Sequence, residues 1–154
     1  MSGGRAEPLV LDTDILSELC RGNPLVTAKA DEYLGIHGRL TITAISVFER
    51  LRGYQLAIRQ GKPYHRQLSA FEAFASTCLV LQFDSDAADR AAILWGYLSR
   101  SQRTHIGDVM IAGIAASRQI PIVTRNRRDF EPMTKIAGVD VQIRAWNRAA
   151  TKKQ

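Results

Sequence analysis

The 154-residue chain has only two cysteines and three histidines, the residues from which soft-metal sites and thiol chemistry are built. Cys20 and Cys78 lie far apart with no CxxC spacing, which excludes a disulfide framework and a zinc ribbon. They read as buried or incidental thiols of a cytoplasmic protein. His37, His65 and His105 are scattered, so zinc is unsupported. No apolar run is long enough to span a bilayer, and Met1 to Pro8 is polar, without the h-region of a signal peptide. The reading therefore predicts no membrane association. Repeats, low-complexity tracts and linkers are also lacking. A single domain over 1–154 is expected, with 1–7 and 148–154 as loose tails. Its 45% hydrophobic content is enough for a real core.

Acidic residues are the scarcer charge. The net charge is +6, and most of the excess sits near one end. From position 125 onward there are eight basic residues (Arg125, Arg127, Arg128, Lys135, Arg144, Arg148, Lys152, Lys153) against Asp129, Glu131 and Asp140. A basic stretch is often only a solvated surface. It also attracts polyanions such as nucleic acid.

Apolar patterning gives alternating strands and helices. The predicted strands are Leu9 to Asp12, Leu40 to Thr43, Leu79 to Phe83, Ile120 to Thr124 and a weaker Val139 to Ile143. A short helix after Asp12 stops at Arg21-Gly22-Asn23-Pro24. A second covers Leu25 to Leu34 and breaks at Gly35. Thr43 caps a long helix from Ala44 to Gln60, with Val47, Leu51, Tyr54 and Ile58 as its apolar stripe. Tyr64 to Ser76 is a further helix. Asp84-Ser85-Asp86 caps one running to about Ser101. Gly107-Asp108 opens a helix apolar on all sides, Val109 to Ala116, which must be buried. Asn126 to Phe130 is a turn and helix start. The class predicted is α/β, a small parallel sheet with helices on both faces.

The chemistry gathers at strand ends. Leu9-Val10-Leu11 runs into Asp12 and Asp14. Ligands of open α/β sheets bind outside the carboxyl ends of strands. One aspartate there is as readily a helix cap. Two after an apolar strand point to a metal or phosphate site, because their charges repel unless neutralised. Glu49 lies in the second turn of the helix leaving the second strand, Asp108 heads the apolar helix, and Thr124, Asn126 and Asp129 follow the fourth strand. The crossover rules bring these places to one edge of the sheet. Oxygen-only ligands favour magnesium or manganese over zinc. Such an ion activates water and neutralises charge on a scissile phosphate.

These residues carry a family resemblance. Leu11-Asp12-Thr13-Asp14-Ile15-Leu16-Ser17-Glu18-Leu19, Ser46-Val47-Phe48-Glu49, Gly107-Asp108 with Ile111-Ala112, and Thr124-Arg125-Asn126-Arg127-Arg128-Asp129-Phe130 together resemble a PIN-domain ribonuclease of the VapC type, the toxin of a bacterial toxin–antitoxin system. The resemblance implies a PIN-like fold and a Mg2+- or Mn2+-dependent endoribonuclease, usually a homodimer, silenced by a small antitoxin protein. Carried over by position, Asp12, Glu49 and Asp108 match the three core acids and metal ligands. Thr13 and Thr124 match hydroxyl positions facing phosphate or a ligand water. Two positions depart. Asp14 stands where Asn is frequent, and Asn126 stands at the fourth acidic position, with Asp129 three residues on. Asn offers an oxygen but no charge, so Asn126 and Asp129 are expected to complete the outer shell around one well-held ion. Arg125, Arg127 and Arg128 are expected to steer RNA. Leu16, Leu19, Leu25 and Val26, with Tyr54 and Ile58 of the long helix, read singly as ordinary core and together as the lining of a groove for an amphipathic segment of the antitoxin.

Two alternatives stand beside this reading. Haloacid-dehalogenase-type phosphatases also open with an apolar strand and Asp-x-Asp. Here, however, Ile15-Leu16 replaces Gly-Thr, and Ala112 stands where a second late acid is needed. The other alternative is a nucleic-acid-binding domain without catalysis, against which the intact carboxylates argue.

Overall fold

In a computed structural model the described residues are 6–146. The expected tails and Arg148, Lys152 and Lys153 fall largely or wholly outside them. The order is β1 (Val10–Leu11), α1 (Thr13–Cys20), α2 (Pro24–His37), β2 (Thr41–Thr43), α3 (Ala44–Arg59), α4 (His65–Ser76), β3 (Leu79–Leu81), α5 (Ser85–Tyr97), α6 (Ile106–Ser117), β4 (Ile122–Val123), α7 (Arg127–Thr134) and β5 (Ile143–Arg144). A 3-10 turn, Gln102–Thr104, lies between α5 and α6.

All strand pairs are parallel. β1, β4 and β5 form one ladder in the order β1-β4-β5, and β2 pairs with β3 in a second. β2 lies against β1, yet no hydrogen-bonded ladder joins the two sets among the described residues. Side chains alternate faces along a strand. Val10 and Ile122 therefore enter a core with Leu94 of α5, Ile111 of α6 and Phe130 of α7. Leu11 and Val123 enter another with Leu16 of α1, Val26 and Tyr33 of α2, and Trp146. Helices thus cover both faces, as the apolar patterning predicts. α6 is buried along Val109 and from Ile111 to Ala116, and Gly113 lets its backbone meet α5. A Cβ there would stand 2.6 Å from the Ala87 carbonyl oxygen and 2.7 Å from the Ala91 Cβ. No helix among the described residues is long and apolar enough to cross a membrane.

Several boundaries differ from the sequence reading. α2 runs through Gly35 and stops at Gly38, whose φ of 81° suits glycine and whose N–H bonds the Leu34 carbonyl. A single glycine within a helix costs only about 1 kcal/mol, so Gly35 does not break it. α5 ends at Tyr97, not near Ser101. The Gln102 side chain accepts from the Ser99 N–H and the Arg103 guanidinium donates to the Trp95 carbonyl, replacing bonds that a longer helix would make. The last strand is Ile143–Arg144. Val139 and Val141 bury their side chains beside it without joining the ladder. Cys20 is exposed, and Cys78 is half-buried against the core that contains Leu11 and Ile42.

Candidate active site

Asp12 ends β1 and occupies the N-cap position of α1, but its side chain caps nothing. It is 3% exposed. Its Oδ2 accepts a 3.0 Å hydrogen bond from the Thr124 hydroxyl. Its Oδ1 has no partner. Thr124, at the end of β4, is wholly buried and its hydroxyl oxygen accepts from the Asn126 N–H at 2.9 Å. Parallel pairing of β1 with β4 is what sets this hydroxyl beside the aspartate. Asp14, in the first turn of α1, lies 3.5 Å from the same hydroxyl and has a buried, unpartnered Oδ1.

α3 contributes from the other side. Thr43 caps it by accepting from the Ser46 N–H, which fixes its first turn. Ser46 then shares a 2.9 Å hydrogen bond with the Thr13 hydroxyl, tying the start of α3 to that of α1. One turn on, Glu49 carries a buried Oε1 without a partner. A Cβ on Gly107 would stand 2.8 Å from that oxygen, so the glycine lets α6 approach Glu49 closely. Asp108 stands in the first turn of α6. Asp129, in the first turn of α7, accepts from the Asn126 amide and faces the His105 imidazole at 3.9 Å. It bonds neither Arg125 nor Arg128.

The electrostatics agree with the geometry. Burial, then repulsion by Asp14 and Asp108, pushes the Asp12 carboxyl well above the usual carboxylate range, against hydrogen bonds from Thr13 and Thr124. Asp14 is raised chiefly by burial. Burial also raises Glu49, with Arg52 opposing. Asp108 is raised to about 6 by burial, then by Asp129 and Glu49, with His105 opposing. These acids lack the positive charge that ionisation requires. The orphaned oxygens of Asp12, Asp14 and Glu49 are what a hard divalent cation satisfies. Asp12, Glu49 and Asp108 are the residues fitted to hold one.

Other expected residues fall into place unevenly. Arg125 is exposed but ion-paired to Glu18, whose carboxyl is held below its usual range by the Asn23 amide, then by Arg125 and Arg21. Arg127 and Arg128 are exposed at the start of α7. Leu16 and Val26 are fully buried and line no groove. The groove lies instead between α1, α3 and α4, a cavity of about 710 Å³ lined by Leu19, Tyr54, Tyr64, Phe71 and Phe74 with Arg50. Two hollows adjoin the carboxylates. One, of about 310 Å³, is walled by Phe48, Arg52 and Ile106 beside Glu49 and Asp108. The other, of about 650 Å³, runs past Gln102, His105, Asn126 and Arg128. Sequence reasoning gives no role of their own to Ser46, Gly107, Glu18 and His105. His105 carries a signal, being one helical turn before Asp108.

The PIN domain family profile matches residues 9–136. The tRNA(fMet)-specific endonuclease VapC of Shigella flexneri is 32% identical over 125 residues, 79% of this chain and 89% of that protein. Ribonuclease VapC5 of Mycobacterium tuberculosis is 33% identical over 133 residues, 86% and 92% of the two chains. The crystal structure of DNA-bound VapBC from Salmonella typhimurium superposes with a TM-score of 0.73 at 26% identity, over 92% of this chain and 99% of that one.

Proposed function

Since the chain belongs to the PIN-domain family, we propose that it is a metal-dependent endoribonuclease acting as the toxin of a toxin–antitoxin pair. The observation that carries this reading is the convergence of Asp12, Asp14, Glu49 and Asp108, from three separate helix starts, with three buried carboxylate oxygens left unpartnered. Unneutralised, such a cluster only destabilises the fold.

Asp12, Glu49 and Asp108 hold a magnesium or manganese ion in this reading. When bound, it supplies an activated water and neutralises charge on the scissile phosphate. The chain's own residues do the positioning. Thr124 fixes the Asp12 carboxylate by donating to Oδ2, and the Asn126 N–H fixes Thr124 in turn. The Thr13–Ser46 bond sets the distance between the α1 acids and Glu49. Asn126 orients Asp129 at the outer edge. Arg52 and Arg128 line the two hollows and Arg127 stands exposed at the start of α7, all three supplying positive charge for the RNA backbone, whereas the Glu18 pairing diverts Arg125. The groove of Leu19, Tyr54, Phe71 and Phe74 suits an amphipathic helix of a small antitoxin. The protein acts as one domain and a homodimer, for which exposed Phe48 and Ile106 supply apolar surface.

The test is cleavage of total cellular RNA by the purified chain with magnesium and with chelator. Magnesium-dependent cutting is expected. Asp108→Asn should lower the rate at least about 100-fold, the loss typical of removing a preorganised charged group, while its circular dichroism stays that of the wild type. A variant that cuts at the wild-type rate overturns the site.

A further inference from the structure

Between Asp89 and Asp108 the chain has no acidic residue, yet it holds Arg90, Arg100, Arg103 and Trp95. The stretch is the end of α5, the link 98–105 and the start of α6. Trp95, in the last turn of α5, is 42% exposed. The Arg103 guanidinium lies over its indole, with Cζ 4.3 Å from the ring centroid. Arg103 is pinned there twice. Its Nε donates to the Trp95 carbonyl at 3.2 Å, and its N–H donates to the Ser99 carbonyl at 3.1 Å. Among the described residues no carboxylate pairs with Arg100 or Arg103. An exposed indole, a stacked guanidinium and the lack of a counter-charge make a flat cationic face.

The fold sets this face beside the catalytic acids. Arg118, just past α6, donates to the Gln82 carbonyl and to Asp84, just before α5, so the two helices run antiparallel. The end of α5 that bears Trp95 is therefore level with the end of α6 that bears Asp108. Arg103 precedes Asp108 by five residues, which limits the separation of their Cα atoms to about 18 Å. About five stacked nucleotides cover that distance at about 3.4 Å each. The hollow that passes His105, Asn126 and Asp129 is also lined by Ser101 and Gln102 of the same link. A strand with a phosphate at Asp108 has a path from the acids to the indole.

We propose that Trp95 and Arg103 form a stacking platform for an unpaired base of the RNA, a few nucleotides from the scissile phosphate, with Arg100 on the flanking backbone. The proposal rests on the ribonuclease reading above and adds to it a base-binding subsite away from the cut. An unpaired base stacks on aromatic rings and guanidinium planes, whereas a base within a duplex is already stacked on its neighbours. Charge selects the occupant. A phosphate backbone supplies the negative charge that Arg100 and Arg103 lack, which an apolar protein surface does not.

Trp95 is the exposed one of two tryptophans, Trp146 being 6% exposed, so indole fluorescence reports the platform. The experiment mixes the full-length Asp108→Asn chain and magnesium with an end-labelled single-stranded RNA oligomer, or with that oligomer annealed to its complement. Fluorescence reads stacking, and anisotropy of the label reads binding. The single strand should quench the indole and bind more tightly than the duplex. Trp95→Ala in that background should weaken single-strand binding between about 5- and 150-fold, the worth of one stacked base. Trp95→Phe should lose the quenching and keep most of the affinity. Arg103→Gln should reduce the slope of log affinity against log salt by about 0.7. With Asp108 restored, Trp95→Ala should raise the KM for RNA cleavage and leave kcat unchanged. Circular dichroism checks that each variant stays folded. Wild-type affinity in Trp95→Ala, or binding without quenching, overturns the platform and leaves the ribonuclease reading standing on its magnesium-dependent cutting. Smaller particles of Trp95→Ala in sedimentation, with RNA affinity unchanged, make the indole a contact between copies of the chain and also overturn it. Quenching and tight single-strand binding by a wild-type chain that cuts no RNA uphold the platform and overturn the ribonuclease reading.

Discussion

At the scale of single residues, a proton and the proposed metal ion would compete for the same oxygens. Asp108 is raised from 3.8 to about 6. A folded state that binds a proton more tightly than the unfolded chain loses stability as pH rises between the two values. Metal-free protein should therefore weaken from about pH 4 to about pH 6 and stay weakened above that. The rise corresponds to at most about 3 kcal/mol, and solvent reaching the carboxylate reduces it to about 1–2 kcal/mol. Asp108→Asn removes the ionisation, so in chelator it should be more stable than the wild type at pH 7.5, and the advantage should vanish by pH 4. Urea denaturation at the two pH values measures this. Gly107 gives a different outcome. Gly107→Ala places a methyl group against the Glu49 carboxylate, the far end of a flexible side chain that can swing aside. The melting temperature should hardly change, while the magnesium concentration for half-maximal RNA cleavage should rise several-fold. The acids themselves were legible in the sequence, because an apolar strand running into paired carboxylates puts charge where a bound cation has to offset it. The approach of His105 to Asp129 and the Glu18–Arg125 pair were not, since each depends on a contact between distant elements that no local pattern encodes.

Among the elements, α6 is the most constrained. Its apolar run is plain in the sequence, and the structure buries it accordingly. What the sequence does not announce is that Gly113 packs against backbone of α5, with no flexible side chain to yield. Gly113→Ala should destabilise the protein by about 1–3 kcal/mol, the cost of overpacking, despite alanine's better helix propensity. Chemical denaturation gives the sign directly. A stabilised variant would mean the two helices separate freely. The helix ends misread from sequence, at Gly35 and Ser101, share one cause. Local hydrogen bonds and a left-handed glycine decide them, and these operate within a turn rather than over a periodic stretch.

Over the whole molecule, parallel pairing is what the alternation of strands and helices predicts, and all three pairs are parallel. The division of the strands into two ladders does not follow from it, because hydrophobic pattern is blind to which short strands share hydrogen bonds. That division has a mechanical consequence. Asp12 belongs to the β1–β4–β5 half, while Glu49 hangs from the helix that leaves β2. Between the halves lie side-chain packing and a few side-chain hydrogen bonds, among them Thr13–Ser46 and Arg50–Ser17 between α1 and α3 and Arg118 to the Gln82 carbonyl. A cation held by both acids acts as a rivet across a seam. Removing it should leave each half intact but let them part more often. In hydrogen–deuterium exchange, chelator should speed labelling of Thr41–Thr43 and the first turn of α3 more than that of Ile122–Val123, and metal should reverse it. The reaction centre and the structural joint are then the same few atoms, so the protein is most rigid when it is armed.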